Sequence, residues 1–328
     1  MQRPIVLHDQ APEEERQGFH DDIHPVEQTQ SDLNSLSFVS KQFYTIEAEH
    51  RDAMRIRCRL DPTTEALASL FSRFPNLAKV EIKYSGRRSS HGDQLNNQGL
   101  RLLSSHCPSL SGLTLGNCTS TDDTGLGYVS YCKNLRSLRL NFAPEITSVG
   151  LSQVVVSCGS LSVLHLVDCE SIDNVEWLEY LGRYGSLEEL VVDWPTEIGF
   201  TQEGIVTLIQ SCPIRTLVLN GASILYDEGM KGSHPHSFWR HSSSWTASLT
   251  DAGIGFIVQA PCLGSLTHSG NVKNVTDVGM AALARSQKLE SLTVIGCRQI
   301  SREGCKTSSL LRRDGKPRRS KRNEQAEE

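Results

Sequence analysis

Residues 276–297 read TDVGMAALARSQKLESLTVIGC: a Thr-Asp pair, a glycine, an apolar patch, three spaced leucine-type residues and a cysteine. The same order recurs along the chain. The glycines that follow the polar pair are Gly99, Gly125, Gly150, Gly204, Gly229, Gly253, Gly279 and Gly304, with successive gaps of 26, 25, 54, 25, 24, 26 and 25 residues. The gap of 54 holds one further unit, SIDNVEWLEYL, in which Glu176 stands where the glycine is expected. A repeat this regular, at roughly 20–29 residues, is the sequence signature of a leucine-rich solenoid.

Each part of the unit has a physical job. The polar residue before the glycine can accept a hydrogen bond from a free backbone N–H and so start a helix. Met280, Ala282 and Leu283 follow at helical spacing and give that helix an apolar face. The L-x-L that closes CPSLSGLTL, CKNLRSLRL and CGSLSVLHL alternates as a strand does, two side chains inward and one outward. A strand plus a helix of this size cannot bury both apolar faces alone, so neighbouring units must stack.

Composition narrows the function classes. The chain has 328 residues, 38% of them hydrophobic and 6% aromatic, so the core must be built from leucine, valine and isoleucine. A formal net charge of -5 argues against general nucleic-acid binding. No apolar run of about 18 residues predicts a membrane span. The first residues, MQRPIVLHDQAPEEERQGFHDD, lack the apolar centre of a secretion signal, which points to cytoplasm or nucleus. The ten cysteines then imply thiols rather than disulfides. Cys107, Cys132, Cys158 and Cys212 fall at the helix-to-strand turn, and Cys118, Cys169 and Cys297 fall just after the strand leucines, as small buried hydrophobes would. A metal site is the weaker reading because no C-x-x-C occurs.

The linked pattern C-P-x-L-x-x-L-x-L-x-x-C-x-x-I-T-D-x-G-L resembles the cysteine-containing leucine-rich repeats of the F-box/leucine-rich-repeat protein family, its plant branch in particular, over about residues 71–305. The resemblance implies a right-handed α/β horseshoe, with parallel strands on the concave side and helices on the convex side. Residues 32–51, DLNSLSFVSKQFYTIEAEHR, carry an apolar stripe of Leu33, Leu36, Val39 and Phe43 at helical spacing. One reading is a helix that caps the first repeat. The other is an F-box, since Leu36, Val39, Phe43 and the Ser40-Lys41 pair resemble that motif's second half. In the family such helices dock on the Skp adaptor of a cullin-RING ubiquitin ligase. The first half does not match: QGFHDDIHPVEQTQS offers Ile23 and Val26, with Pro25 interrupting any helix.

The organisation expected is therefore a disordered acidic segment over 1–30, a partial F-box-like helical segment over 31–58, repeats over 59–306 and a basic disordered tail over 307–328. Within the repeats, residues 230–248, MKGSHPHSFWRHSSSWTAS, lack the strand leucines although Gly229 and Gly253 keep the period. His234, His236, His241, Trp239 and Trp245 admit a metal or partner site, but a degenerate unit that bulges out as a loop is the simpler account. The tail cluster of Arg312, Arg313, Lys316, Arg318, Arg319, Lys321 and Arg322 reads as a nuclear-import signal, as a nucleic-acid patch or as a solvated end. No apolar sequence closes the last repeat, so its strand edge is expected to be exposed.

No nucleophile elbow, phosphate loop or paired-histidine metal motif is present, so the chain reads as a recognition protein without cofactor or metal rather than as an enzyme. The residues between strand leucines should line a concave sheet: Lys79, Glu81, Lys83, Thr114, Ser137, Arg139, Asn141, His165, Glu189, Val191 and Asp193, with Trp194 beside them. Of these, Lys83, Arg139, Asn141, His165, Glu189, Asp193 and Trp194 are the candidate target contacts, and Leu33, Leu36, Val39, Lys41 and Phe43 the candidate adaptor contacts. The resemblance implies the substrate-recognition subunit of an SCF-type ubiquitin ligase. A repeat scaffold without ligase attachment and a small-molecule sensor are the alternatives.

Overall fold

The computed structural model describes residues 6–8, 41–58, 64–84, 95–225, 251, 254–255, 262–269, 275–285, 289, 291–295, 299–301 and 303–304. Its centre is one ten-stranded parallel sheet. In chain order the strands are β1 (Val6–His8), β2 (Ala53–Cys58), β3 (Lys79–Tyr84), β4 (Gly112–Gly116), β5 (Ser137–Asn141), β6 (Val163–Val167), β7 (Glu189–Thr201), β8 (Thr216–Leu225), β9 (Ser265–Ser269) and β10 (Ser291–Ile295). Strands β2 to β10 lie side by side in sequence order, and β1 closes the far edge beside β10. The helices are α1 (Lys41–His50), α2 (Thr64–Arg73), α3 (Asn97–His106), α4 (Asp123–Val129), α5 (Ser148–Ser157), α6 (Trp177–Tyr184), α7 (Gln202–Ser211) and α8 (Asp277–Ala284). From α2 to α7, successive helices pack on one another. Each unit thus contributes one strand to a continuous parallel sheet and one helix to a layer packed beside it. This is the leucine-rich-repeat horseshoe.

The strand leucines behave as their alternation predicts. Leu113 and Leu115, Leu138 and Leu140, and Leu164 and Leu166 are fully buried and form a ladder facing the helices. Leu110, Leu135 and Leu161, which lead into those strands, are buried with them. Cys107, Cys132 and Cys158 sit beneath at the helix ends, all buried and all free thiols. Burial pushes Cys107 and Cys158 up to about 11 and Cys132 up to about 12, as expected for thiols that serve as apolar filling.

The quoted motif has a division of labour that the sequence does not display. Thr276 caps its own helix, its Oγ1 accepting from the Val278 N–H at 3.2 Å. Asp277 belongs to the next unit: it accepts from the Ser301 N–H at 2.8 Å and from the Ser301 hydroxyl at 2.6 Å. Asp251 does the same for Thr276, at 2.8 and 2.6 Å. Asp123 does so for Thr147, again at 2.8 and 2.6 Å. The carboxylate thus ties neighbouring repeats together. The expectation that these acids cap their own helices holds at Asp122, which accepts from the Thr124 N–H at 2.7 Å. The glycine exists to admit the incoming carboxylate. A Cβ at Gly150 would lie 2.3 Å from Asp123 Oδ1, and one at Gly279 would lie 2.4 Å from Asp251 Oδ1.

Three expectations are corrected. The 1–30 segment is not wholly disordered, because Val6–His8 pairs in parallel with Thr293–Ile295. The last strand edge is therefore covered by the chain's own N-terminal residues rather than exposed. The repeats begin earlier than residue 59, since Ala53–Cys58 alternates apolar and basic side chains and pairs fully with β3. The reading of 230–248 as a unit that bulges out of the repeat is compatible with the strand pairing around it. Strand β8 pairs directly with β9, Thr216 opposite Ser265 through Asn220 opposite Ser269. The ladder joins across the 230–248 segment, which itself lies outside the described residues. The same is true of the basic tail.

The N-terminal helix α1 docks on the first unit through polar chemistry. Glu47 is buried and pairs with Arg51 and, at 2.6 Å, with Arg73. The Arg73 guanidinium lies 3.8 Å from the Tyr44 ring centre and 4.6 Å from that of Phe74. Burying a carboxylate requires such pairing, and two arginines between aromatic faces supply it.

Candidate protein-binding face

Strand pairing sets the concave side in three rows. In each strand the residues flanking and separating the buried leucines face away from the helices. The first row runs Lys79, Gly112, Ser137, Val163, Glu189; the second Glu81, Thr114, Arg139, His165, Val191; the third Lys83, Gly116, Asn141, Val167, Asp193. The candidate target contacts Lys83, Arg139, Asn141, His165, Glu189 and Asp193 are thus brought onto one face. Trp194 follows Asp193 in β7, and its side chain lies outside the described residues.

Charge along this face is ordered. At the β2–β3 end, Glu81 accepts from Arg55 Nε at 2.9 Å and lies 3.1 Å from Lys83 Nζ. In the middle, His165 Nε2 contacts Glu189 Oε1 across the β6–β7 step. The hydrogen bond from His165 holds the Glu189 carboxyl below its usual range. Burial opposes this, and the charges of His165 and Arg139 add to the lowering. Beyond it, Asn220 Nδ2 donates to Asp193 at 3.3 Å. Val191 and Val218 also stand on this side, yet are only 3% and 2% exposed.

The rim beyond the strands' C-terminal ends carries the chain's irregularities. Asn117, Phe142 and Asp168 each take a left-handed backbone, φ 55°, 54° and 51°, just past their strands. Their N–H groups donate to the carbonyls of Asn141, Val167 and Asp193, each at 2.8 Å. These bonds hold three non-glycine residues in a conformation they otherwise avoid. Strands β7 and β8 extend past this column, and a register shift between Asp193 and Ile198 interrupts their pairing. In repeat proteins such insertions gather on one side, often the binding side.

Sequence reasoning missed Arg55 and Arg57 of β2, because that strand precedes the first full leucine motif. The alternation in AMRIRC was the signal available. Of the adaptor candidates, Leu33, Leu36 and Val39 lie outside the described residues. Lys41 opens α1 and is exposed, and Phe43 lies within α1 with its side chain outside the description. Tyr44 and Ile46 of α1 are 47% and 38% exposed.

No family model matches the chain. Among solved structures, Rad7 from the yeast Rad7–Elc1 complex superposes with a TM-score of 0.57 at 19% identity, covering 86% of this chain and 68% of that one. TLR13 from its complex with ssRNA13 gives 0.45 at 15% identity, covering 78% of this chain and 34% of that one. The likeness to Rad7 establishes the fold class, a leucine-rich-repeat solenoid. Among the described residues, no helix is long and apolar enough to cross a membrane.

Proposed function

We propose that this chain is the substrate-recognition subunit of an SCF-type E3 ubiquitin ligase, with the target held on the concave sheet and the Skp adaptor at the N-terminal helical segment. The observation that carries the reading is the arrangement. A leucine-rich sheet with polar rows facing outward is preceded by a helix that docks on it and leaves Tyr44 and Ile46 exposed. The F-box-like stripe of Leu33, Leu36, Val39 and Phe43 runs into that helix. Rad7, which shares the fold, was solved with a second protein, Elc1. In this reading the chain performs no chemistry itself. It acts in the cytoplasm or nucleus and brings a target to a cullin-RING assembly that transfers ubiquitin.

The test is capture of the Skp adaptor by the full chain and by the Val39→Asp/Phe43→Asp variant. Retention by the first and loss by the second, with unchanged circular dichroism, supports the ligase subunit. An intact chain that retains no adaptor leaves a protein-binding solenoid without ligase attachment.

A further inference from the structure

The two outer rows of the concave face repeat one order of chemistry. Lys79, Gly112, Ser137, Val163 and Glu189 are consecutive in register across β3 to β7. Lys83, Gly116, Asn141, Val167 and Asp193 follow the same path four residues further along each strand. Both rows read cation, glycine, hydrogen-bonding side chain, valine, carboxylate. Nothing in the fold requires this, because the inward leucines carry the packing.

The glycines shape the basic end. A Cβ at Gly112 would lie 3.5 Å from Lys79 Cγ, and one at Gly116 would lie 2.8 Å from Lys83 Cγ. The lysine stems therefore lean over β4, on either side of Thr114. Arg139 follows Thr114 in the middle row, and Arg55 and Arg57 extend the basic end onto β2. Five cationic side chains on β2, β3 and β5 face one carboxylate, Glu81, in a chain whose formal net charge is -5. The opposite end carries Glu189 and Asp193, with half-buried Val163 and Val167 between the two poles.

We propose that this face binds a charge-polarised protein segment. Its acidic residues lie over β3 to β5, its aliphatic residues cover Val163 and Val167, and its basic end meets Glu189 and Asp193. The inference rests on the target-binding reading above and gives it a substrate class. Four strand steps of about 4.8 Å make a track about 19 Å long. Four residues of strand rise set the rows about 13 Å apart. One extended peptide segment of about six residues spans that track. A long polyphosphate fits poorly, since its far end would meet two carboxylates. Complementary charge of this kind sets orientation and partner choice more than raw affinity.

The test titrates the full chain into a labelled extended peptide of about six residues, matched to the track of about 19 Å, with two glutamates at one end, two leucines in the middle and two lysines at the other. A peptide of equal composition with alternating charges is the control. The polarised peptide is expected to bind at least about fivefold more tightly than the control. Lys79→Glu with Arg139→Glu should weaken it about tenfold or more. Arg101→Glu, on the exposed side of α3, should change it less than about twofold. Circular dichroism verifies that each variant is folded. Equal affinity for the two peptides, an equal loss in Arg101→Glu, or stronger competition by an oligoribonucleotide of similar length overturns the proposal. Adaptor capture is measured on the unaltered chain and depends on residues 33–43. A failure there removes the ligase without bearing on the peptide result, and the converse also holds.

Discussion

At position 150 a single hydrogen atom in place of a methyl group decides whether two repeats can touch. The Asp123 carboxylate occupies the space a side chain would fill, and its backbone Cα lies 2.9 Å from the site of that missing Cβ. Gly150→Ala therefore has to displace the carboxylate, and the expected cost in urea unfolding is about 1–3 kcal/mol. Asp123→Ala removes the partner of the Thr147 N–H and hydroxyl, for a similar cost of about 1–3 kcal/mol. Because both act on one contact, the double variant should cost clearly less than the sum, and additive values would refute the assignment. The Glu189–His165 contact is legible at the same scale. Its carboxyl titrates below the usual range in the folded chain. The stability it contributes is complete above the unfolded pKa of about 4.3 and is lost as pH falls through the lowered folded value. Glu189→Gln should flatten that acid slope in urea titrations below about pH 5, while an unchanged slope would assign the acid sensitivity elsewhere.

Among the elements, β1 departs most from what its sequence announces. PIVLHDQ is a short apolar run in a polar segment, and nothing local distinguishes it from a loop. It becomes a strand because β10 presents an unpaired row of backbone groups that must find partners. Three register pairs form a weak ladder, so this closure should open before the rest of the sheet. Removing residues 1–10 is expected to speed amide exchange in Ser291–Ile295 by about tenfold or more, leaving β4 to β6 unaffected. Uniform exchange across the sheet would contradict the closure. Helix α1 makes a complementary point. Its apolar stripe suggested a greasy cap, yet its junction with α2 is held by Glu47 between Arg51 and Arg73. Burial of that carboxylate depends on an arginine 26 residues away, which no helical periodicity can reveal.

For the molecule as a whole, the repeat was readable because it is local. Period-two leucines, a helical apolar face and a recurring glycine each lie within about 25 residues, and each specifies its own unit. They determined the solenoid class, the inward and outward side of every regular strand, and hence that six of the seven candidate target residues share one face. Tertiary structure decided what depends on which strands become neighbours. It joined β8 to β9 across the irregular segment, started the sheet at Ala53, closed its far edge with Val6–His8 and aligned two rows of like chemistry across five strands. These outcomes arise from backbone hydrogen bonds and carboxylate ties between residues 24 or more positions apart, where the sequence records the partners but not the pairing.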